Sequence, residues 1–308
     1  VFTDGKIALL IDTPEAAYLA AFDAGSGKQV WRTERPVGVL GSYATPTVYA
    51  RAGEPAQIVV AGATELTGYQ VRTGERLWWA RGVTISPNAP PFVAEDSVYT
   101  VETAGIAWPP FGNPLNLFDR DKNGRIEIAE ATSDPAWAGS LKSIDKNLGN
   151  GDGVVTEEEY AKASTDESSG GGLVRTRIGG RGDVSGNVAW RYTKGMPSLT
   201  GALLYQNALY VIRSGILSVF DPETGRLLRQ ERIKNAPGDY YASPVAADDK
   251  IYLANLEGRV TVLKAGADAQ VVSTGDLGEQ IVATPAIAGG RVYFRTEGTL
   301  FCFGTRKR

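Results

Sequence analysis

The chain has 308 residues, 43% of them hydrophobic, which is enough to bury a substantial core, and all-β architectures of this length commonly form one domain. Thirty-two basic against thirty-five acidic residues leave a net charge of −3, with no electrostatic case for nucleic-acid binding. With no histidine and a single cysteine, Cys302, the chain cannot build a Ser-His-Asp or Cys-His nucleophile, a His or Cys zinc site, a c-type haem attachment or an internal disulfide.

Taken in chain order, the first readable unit is "LAAFDAGSGKQVWRTE" (19–34): an alternating strand, a turn ending at Gly27, and a strand carrying Trp31. "ATPTVYA" (44–50) opens the next unit, and "LTGYQVRTGERLWWAR" (66–81) completes it with Gly74 and Trp78. "SVYTVET" (97–103) begins a third that is completed only at "GDVSGNVAWRYTKG" (182–195), with Trp190. "LSVFDPETGRLLRQER" (217–232) repeats the pattern around Gly225, with Leu228 in the place of the aromatic. "SPVAADDKIYLAN" (243–255) and "TPAIAGGRVYFRT" (284–296) follow, and the last unit stops at "TLFCFG" (299–304), where Cys302 reads as a small buried apolar residue. Gly27, Gly74 and Gly225 stand where such turns need positive φ. Pro46 to Pro87 is 41 residues and Pro244 to Pro285 is again 41, the period of four-stranded propeller blades. The expected fold is therefore an all-β propeller of four-stranded antiparallel blades. Six units are visible, the first lacking its opening strand and the last incomplete.

Pro87 to Pro197 spans 110 residues, too long for one blade, so a segment is inserted within the third unit. The division read from this is blades over 1–107, an insertion over 108–172 and blades over 173–308. The insertion opens on "WPPFGNP" (108–114), a rigid Pro-rich lead-in. Next comes "DRDKNGRIEIAE" (119–130), with Asp119, Asp121 and Asn123 at positions 1, 3 and 5, Gly124 at 6, Arg125 at 7, Ile126 at 8 and Glu130 at 12. That is an EF-hand calcium loop: alternate residues of a tight loop turn oxygens inward, the glycine permits the bend, Arg125 lends its carbonyl, and Glu130 closes the site with two oxygens. A second loop follows in lengthened form. With Leu148, Gly149 and Asn150 treated as an insertion, Asp145, Asn147 and Asp152 fall at positions 1, 3 and 5 and Glu159 at 12. Pro114 and Pro135 suit entering helices, 156–163 an exiting one, and Ile126 with Val155 a short strand bridge between the loops. "STDESSGGG" (164–172) reads as a flexible return to the blade. Residues 111–170 carry twelve acidic and six basic side chains, so negative charge gathers where a cation would offset it.

The repeats "FDAGSGKQVW" and "FDPETGRLLR", with "KIYLANLEGRVTVL", resemble the PQQ-like (pyrroloquinoline-quinone-type) β-propeller family, over nearly all of the chain outside the insertion. The resemblance implies blades interlocked through Trp31, Trp78 and Trp190. It also implies one of two functions. The quinone-dependent alcohol dehydrogenases of the family carry an adjacent pair of cysteines over the cofactor, which a single Cys302 cannot supply. The other branch resembles the propeller of outer-membrane-protein assembly, a non-catalytic scaffold for protein partners. The expectation is a periplasmic or secreted Ca²⁺-binding scaffold, the alternative a quinone-dependent or carboxylate-pair enzyme working from the propeller's central face. "RGD" (181–183) lies in a strand-turn stretch and reads as coincidence. No apolar run approaches a membrane span, no signal-peptide pattern opens the chain, and a start at Val1 reads as a mature or trimmed part of something longer.

Overall fold

The structure, a computed structural model, describes residues 1–13, 16–36, 40–104, 109–168 and 170–304. The alternating apolar segments form mostly antiparallel sheets in meander order, and the chain divides into two units, Val1–Ala189 and Trp190–Arg308. In the first unit, the first sheet is Phe2–Thr3, Lys6–Asp12, Ala17–Asp23 and Gln29–Glu34. Its opening strand, expected to be missing, is present but cut to two residues, paired with Ile7 and Lys6. The second sheet is Thr47–Tyr49, Gln57–Ala61, Glu65–Gln70 and Arg76–Arg81, with Gly182–Asp183 added in parallel as a fifth, edge strand. The third begins with Phe92–Ala94, Ser97–Glu102 and Gly172–Arg177, and its fourth place goes to Val188–Tyr192, the strand in which the chain passes from one unit to the other. The second unit holds a fourth sheet (Leu203–Tyr205, Ala208–Arg213, Ile216–Phe220, Leu227–Arg232), a fifth (Val245–Ala247, Lys250–Ala254, Arg259–Lys264, Val271–Asp276) and a three-stranded sixth (Ala286–Ala288, Arg291–Arg295, Leu300–Gly304).

Within each unit, the faces of successive sheets pack together. Ala8 and Leu19 of the first sheet meet Ile58, Val60 and Tyr69 of the second, and Tyr210 and Ile212 of the fourth meet Ile251, Leu253 and Leu263 of the fifth. The turn glycines locate two of the tryptophans. Gly74 has φ +74°, and a Cβ there would stand 2.5 Å from the Trp31 ring; Trp31 Nε1 donates to the Val71 carbonyl at 3.1 Å. Gly225 and Trp190 repeat the arrangement, with φ +69°, 2.5 Å, and a hydrogen bond to the Pro222 carbonyl at 3.0 Å. Trp78 instead lies over Gly68 of its own sheet, its Nε1 donating to Gln57 Oε1 at 2.8 Å, among Val98, Val174 and Val184.

Two sequence expectations shift by local geometry. The partner that stands opposite Val219, as Trp31 stands opposite Ala21 and Trp78 opposite Gly68, is Arg229. Leu228 is the extra residue of a β-bulge that all three hairpins share and is equivalent to Val30 and Leu77, so the aromatic's place, four residues past the turn glycine, falls on Arg229. Cys302 is exposed rather than buried, because Leu300–Gly304 is the last described strand of a three-stranded sheet and Leu300 and Phe303 beside it are open as well. Among the described residues no helix is long and apolar enough to cross a membrane.

The insertion grows from a hairpin. Ser97–Glu102 pairs with Gly172–Arg177 so that Glu102 faces Gly172, and everything between them replaces a connection of two to four residues in the other sheets. The root is anchored: Glu102 Oε1 accepts the Ile85 N–H at 2.9 Å, Glu102 Oε2 the Ser86 N–H at 3.0 Å, and the Gly171 N–H reaches the Val83 carbonyl at 3.1 Å. The return is therefore not slack. Gly170 and Gly171 are buried, and a Cβ on Gly170 would press on Ile85. The last helix runs on to Ser168, through the stretch expected to be flexible. Of the Pro-rich lead-in, Trp108 and the 107/108 boundary lie outside the described residues, while the Pro109 carbonyl accepts the Tyr160 hydroxyl at 2.9 Å. The RGD stretch is structural. Gly182 and Asp183 pair in parallel with Trp78 and Trp79, Arg181 bonds Glu75 at 2.6 Å, and Asp183 accepts the Ser185 N–H and hydroxyl.

Candidate metal centre in the inserted helix pair

Three helices frame the insertion: α1 (Gly112–Phe118), α2 (Pro135–Leu148) and α3 (Glu157–Ser168). The starts of α2 and α3 have local causes. Pro135 occupies the first position of α2, where a missing N–H costs nothing, and Asp134 Oδ1 accepts the Trp137 N–H at 3.2 Å. Thr156 and Glu159 form a capping box on α3: the Glu159 N–H donates to Thr156 Oγ1 at 3.3 Å and the Thr156 N–H to Glu159 Oε2 at 2.9 Å. Phe118, Ile126, Leu141, Ile144, Val155 and Tyr160 bury against one another as a core of the insertion's own. Ile126 pairs with Val155 and Glu127 with Val154, the expected bridge between the two loops.

The first loop converges as its spacing requires. Asp119 Oδ1 and Oδ2 accept the N–H groups of Asn123 and Gly124, each at 3.0 Å, and Asp121 Oδ1 accepts Asn123 N–H at 3.1 Å. Asn123 Oδ1 accepts the Arg125 N–H at 2.9 Å, which turns the chain so that the Arg125 carbonyl can follow the alternation. Gly124 sits at φ +81°, where a side chain would be strained. Glu130 Oε1 accepts the Arg120 N–H at 3.0 Å, and one carboxylate oxygen from each of Asp119, Asp121 and Glu130 falls within 4.8 Å of the others. The three carboxylates offer a donor set of hard oxygens that fits Ca²⁺ better than a soft metal.

Glu127, at position 9, belongs to the same site. Its Oε1 accepts Asn123 Nδ2 at 2.7 Å, while its Oε2 and Glu130 Oε2 are both closed off from solvent without a hydrogen-bond partner. The two carboxyl groups are in contact with each other. That contact holds the Glu130 carboxyl above the ordinary glutamate range, burial and the Glu127 and Asp121 charges adding to it, and holds Glu127 below that range, with the Asn123 amide helping. A divalent cation between them would satisfy both oxygens.

The second loop departs from the spacing read in the sequence. Asp145, Asp152 and Glu159 are in the loop, but Asn147 is not: α2 continues through it, and its amide donates to the Ser143 carbonyl at 2.9 Å and Ser143 Oγ at 3.1 Å. The reason is that the helix does not stop at Asp145. Asn150 stands beside Asp152 instead, a residue missed although Asn-x-Asp-Gly (150–153) carries the same spacing as Asp121, Asn123 and Gly124.

Comparison with known proteins places the repeats. The family model described as outer membrane protein assembly factor BamB matches residues 3–164 and 213–306. Among solved structures, the chain is similar to BamB from Moraxella catarrhalis, at 13% identity and a TM-score of 0.53 over 100% of this chain and 69% of that one. It is also similar to quinohemoprotein alcohol dehydrogenase from Comamonas testosteroni, at 12% identity and a TM-score of 0.51, with 97% of this chain matching 51% of that one, so that it spans about half of the enzyme. No curated protein matches the sequence. At these identities the structural likeness speaks to the fold alone.

Proposed function

We propose, on the premise that this chain belongs to the PQQ-like repeat β-propeller family of the outer membrane protein assembly factor BamB, that it is a calcium-binding propeller serving as a non-catalytic scaffold for protein partners outside the cytoplasm. The observation that carries the calcium half is the first loop, where Asp119, Asp121 and Glu130 converge within 4.8 Å and Glu127 and Glu130 each keep an unpartnered oxygen. Asp119, Asp121, Asn123, the Arg125 carbonyl, Glu127 and Glu130 would hold the ion. A periplasmic or secreted setting suits it, because extracellular calcium is high enough to fill even modest EF-hand sites.

The scaffold half is supported by the family match, and by the roles of the repeat residues singled out. Trp31 and Trp190 lodge on turn glycines, and the RGD stretch pairs with a strand, so these side chains hold sheets together. A quinone enzyme of this family would need the adjacent cysteine pair, and the one cysteine stands alone and exposed at the last strand. The experiment is a calcium titration of the full chain by calorimetry, with Glu130→Gln beside it. Binding should fall by on the order of tenfold or more in the variant, since the closing ligand loses its charge. Equal affinity in the two proteins would remove the site assignment, and stoichiometric quinone absorbance surviving gel filtration would remove the non-catalytic reading.

A further inference from the structure

We propose that copies of this chain associate head to tail, the sixth sheet of one copy packing against the first sheet of the next. Within each unit the sheets pack by a fixed alternation. On the second and third strands of a sheet, one set of side chains meets the following sheet and the set between them meets the preceding one. Ala8 and Leu19 of the first sheet point forward, to Ile58 and Val60 of the second. Tyr210, Leu217 and Val219 of the fourth point forward in the same way, to Ile251 and Leu253 of the fifth. Ala254 and Val260 of the fifth meet Val292 and Phe294 of the sixth. All of these side chains are buried.

Two faces depart from this. On the first sheet, Ile7, Leu9 and Ile11 hold the backward positions and are 41%, 51% and 39% exposed. Ile7 and Leu9 stand second and fourth in Lys6–Asp12, the places of Ile251 and Leu253 in Lys250–Ala254, so the open face repeats Ile-x-Leu residue for residue. On the sixth sheet, Tyr293, Leu300 and Cys302 hold the forward positions. Tyr293 pairs with Cys302 as Tyr210 pairs with Val219, and Leu300 pairs with Arg295 as Leu217 pairs with Ile212. Leu300 is 67% exposed and Cys302 is exposed as well. The chain therefore presents, uncovered, a likeness of each half of the interface that its fourth and fifth sheets bury. Open apolar patches of this kind mark contact surfaces, and the occupant whose shape and chemistry fit each one is the other half on a second copy. The contact is heterologous, so every added copy again offers one open face of each kind.

The test is sedimentation velocity of the full chain over a range of concentrations, beside Leu9→Arg, Leu300→Arg and their equimolar mixture, each variant checked for wild-type circular dichroism. Both leucines are exposed, so the folded copy tolerates an arginine there, while the contact between copies would have to bury its charge. The wild type is expected to form species of two or more chains that dissociate on dilution, and each variant alone to sediment as a single chain. The mixture should recover a two-chain species, because the sixth sheet of Leu9→Arg and the first sheet of Leu300→Arg are both intact. That recovery belongs to head-to-tail pairing alone. A wild type that stays a single chain at every concentration overturns the proposal, whether the faces remain open or are covered within the polypeptide. Association that survives either substitution, or a mixture that stays as single chains, overturns it as well.

Discussion

Replacing Gly74 by alanine tests whether a tryptophan lodged on a turn glycine is what joins neighbouring sheets. Gly27 supplies the control, because it has nearly the same conformation, φ +70° against +74°, yet nothing lies within 4 Å of a Cβ there. Gly27→Ala should therefore cost only the left-handed penalty, about 1–2 kcal/mol. At Gly74 the same penalty applies, and the new methyl also displaces the Trp31 ring, 2.5 Å away, from its seat. The hydrogen bond from Trp31 Nε1 to the Val71 carbonyl is then lost, about 1 kcal/mol. If a third of a tryptophan's roughly 200 Å² of contact goes with it, a further ~1.7 kcal/mol follows at ~25 cal/mol per Å². Gly74→Ala should thus cost about 4–5 kcal/mol, some 3 kcal/mol more than the control, read as the shift in urea midpoint followed by tryptophan fluorescence. Gly225→Ala should match it, since Trp190 stands at the same 2.5 Å. Equal losses for Gly27→Ala and Gly74→Ala would refute the reasoning: the glycine would then be required for its φ alone.

Calcium affinity should weaken on acidification from a pH above the ordinary glutamate range. The raised Glu130 carboxyl takes up a proton early, and the protonated form cannot close the loop; Glu127→Gln, which removes the facing carboxylate, should move the loss to lower pH, and an unmoved titration would break the link. Chelation should raise amide exchange across 109–171 while the blade strands stay protected, because the insertion has its own core and is rooted where Glu102 faces Gly172; protection lost equally in the blades would show that the ion holds the whole fold. Gly62→Ala should destabilise by about 3–5 kcal/mol, since its Cβ would strike the guanidinium of Arg35 and leave the buried Asp12 carboxylate without it. An unchanged denaturation midpoint would mean that the Asp12–Arg35 pair contributes nothing.

What could be read from the chain before any coordinates was whatever depends on a few consecutive residues. The blade period, the positive φ at Gly27, Gly74 and Gly225, the tight turn at Gly124 and the Ile126–Val155 bridge are of this kind, because turn stereochemistry and loop spacing act over a dozen positions at most. The differences lie where a longer-range balance decides. α2 runs to Leu148, past Asp145, because helix propagation and the packing of Leu141 and Ile144 outweigh the motif's own numbering, so Asn147 lies in the helix and Asn150 stands in the loop beside Asp152. The glycines at 170 and 171 read as slack in a string of letters, yet Ile85 and Thr103 press on the space where side chains would be. Cys302 reads as buried by its alternating neighbours and is exposed, because burial belongs to whatever covers a strand and its alternation records only which side it faces.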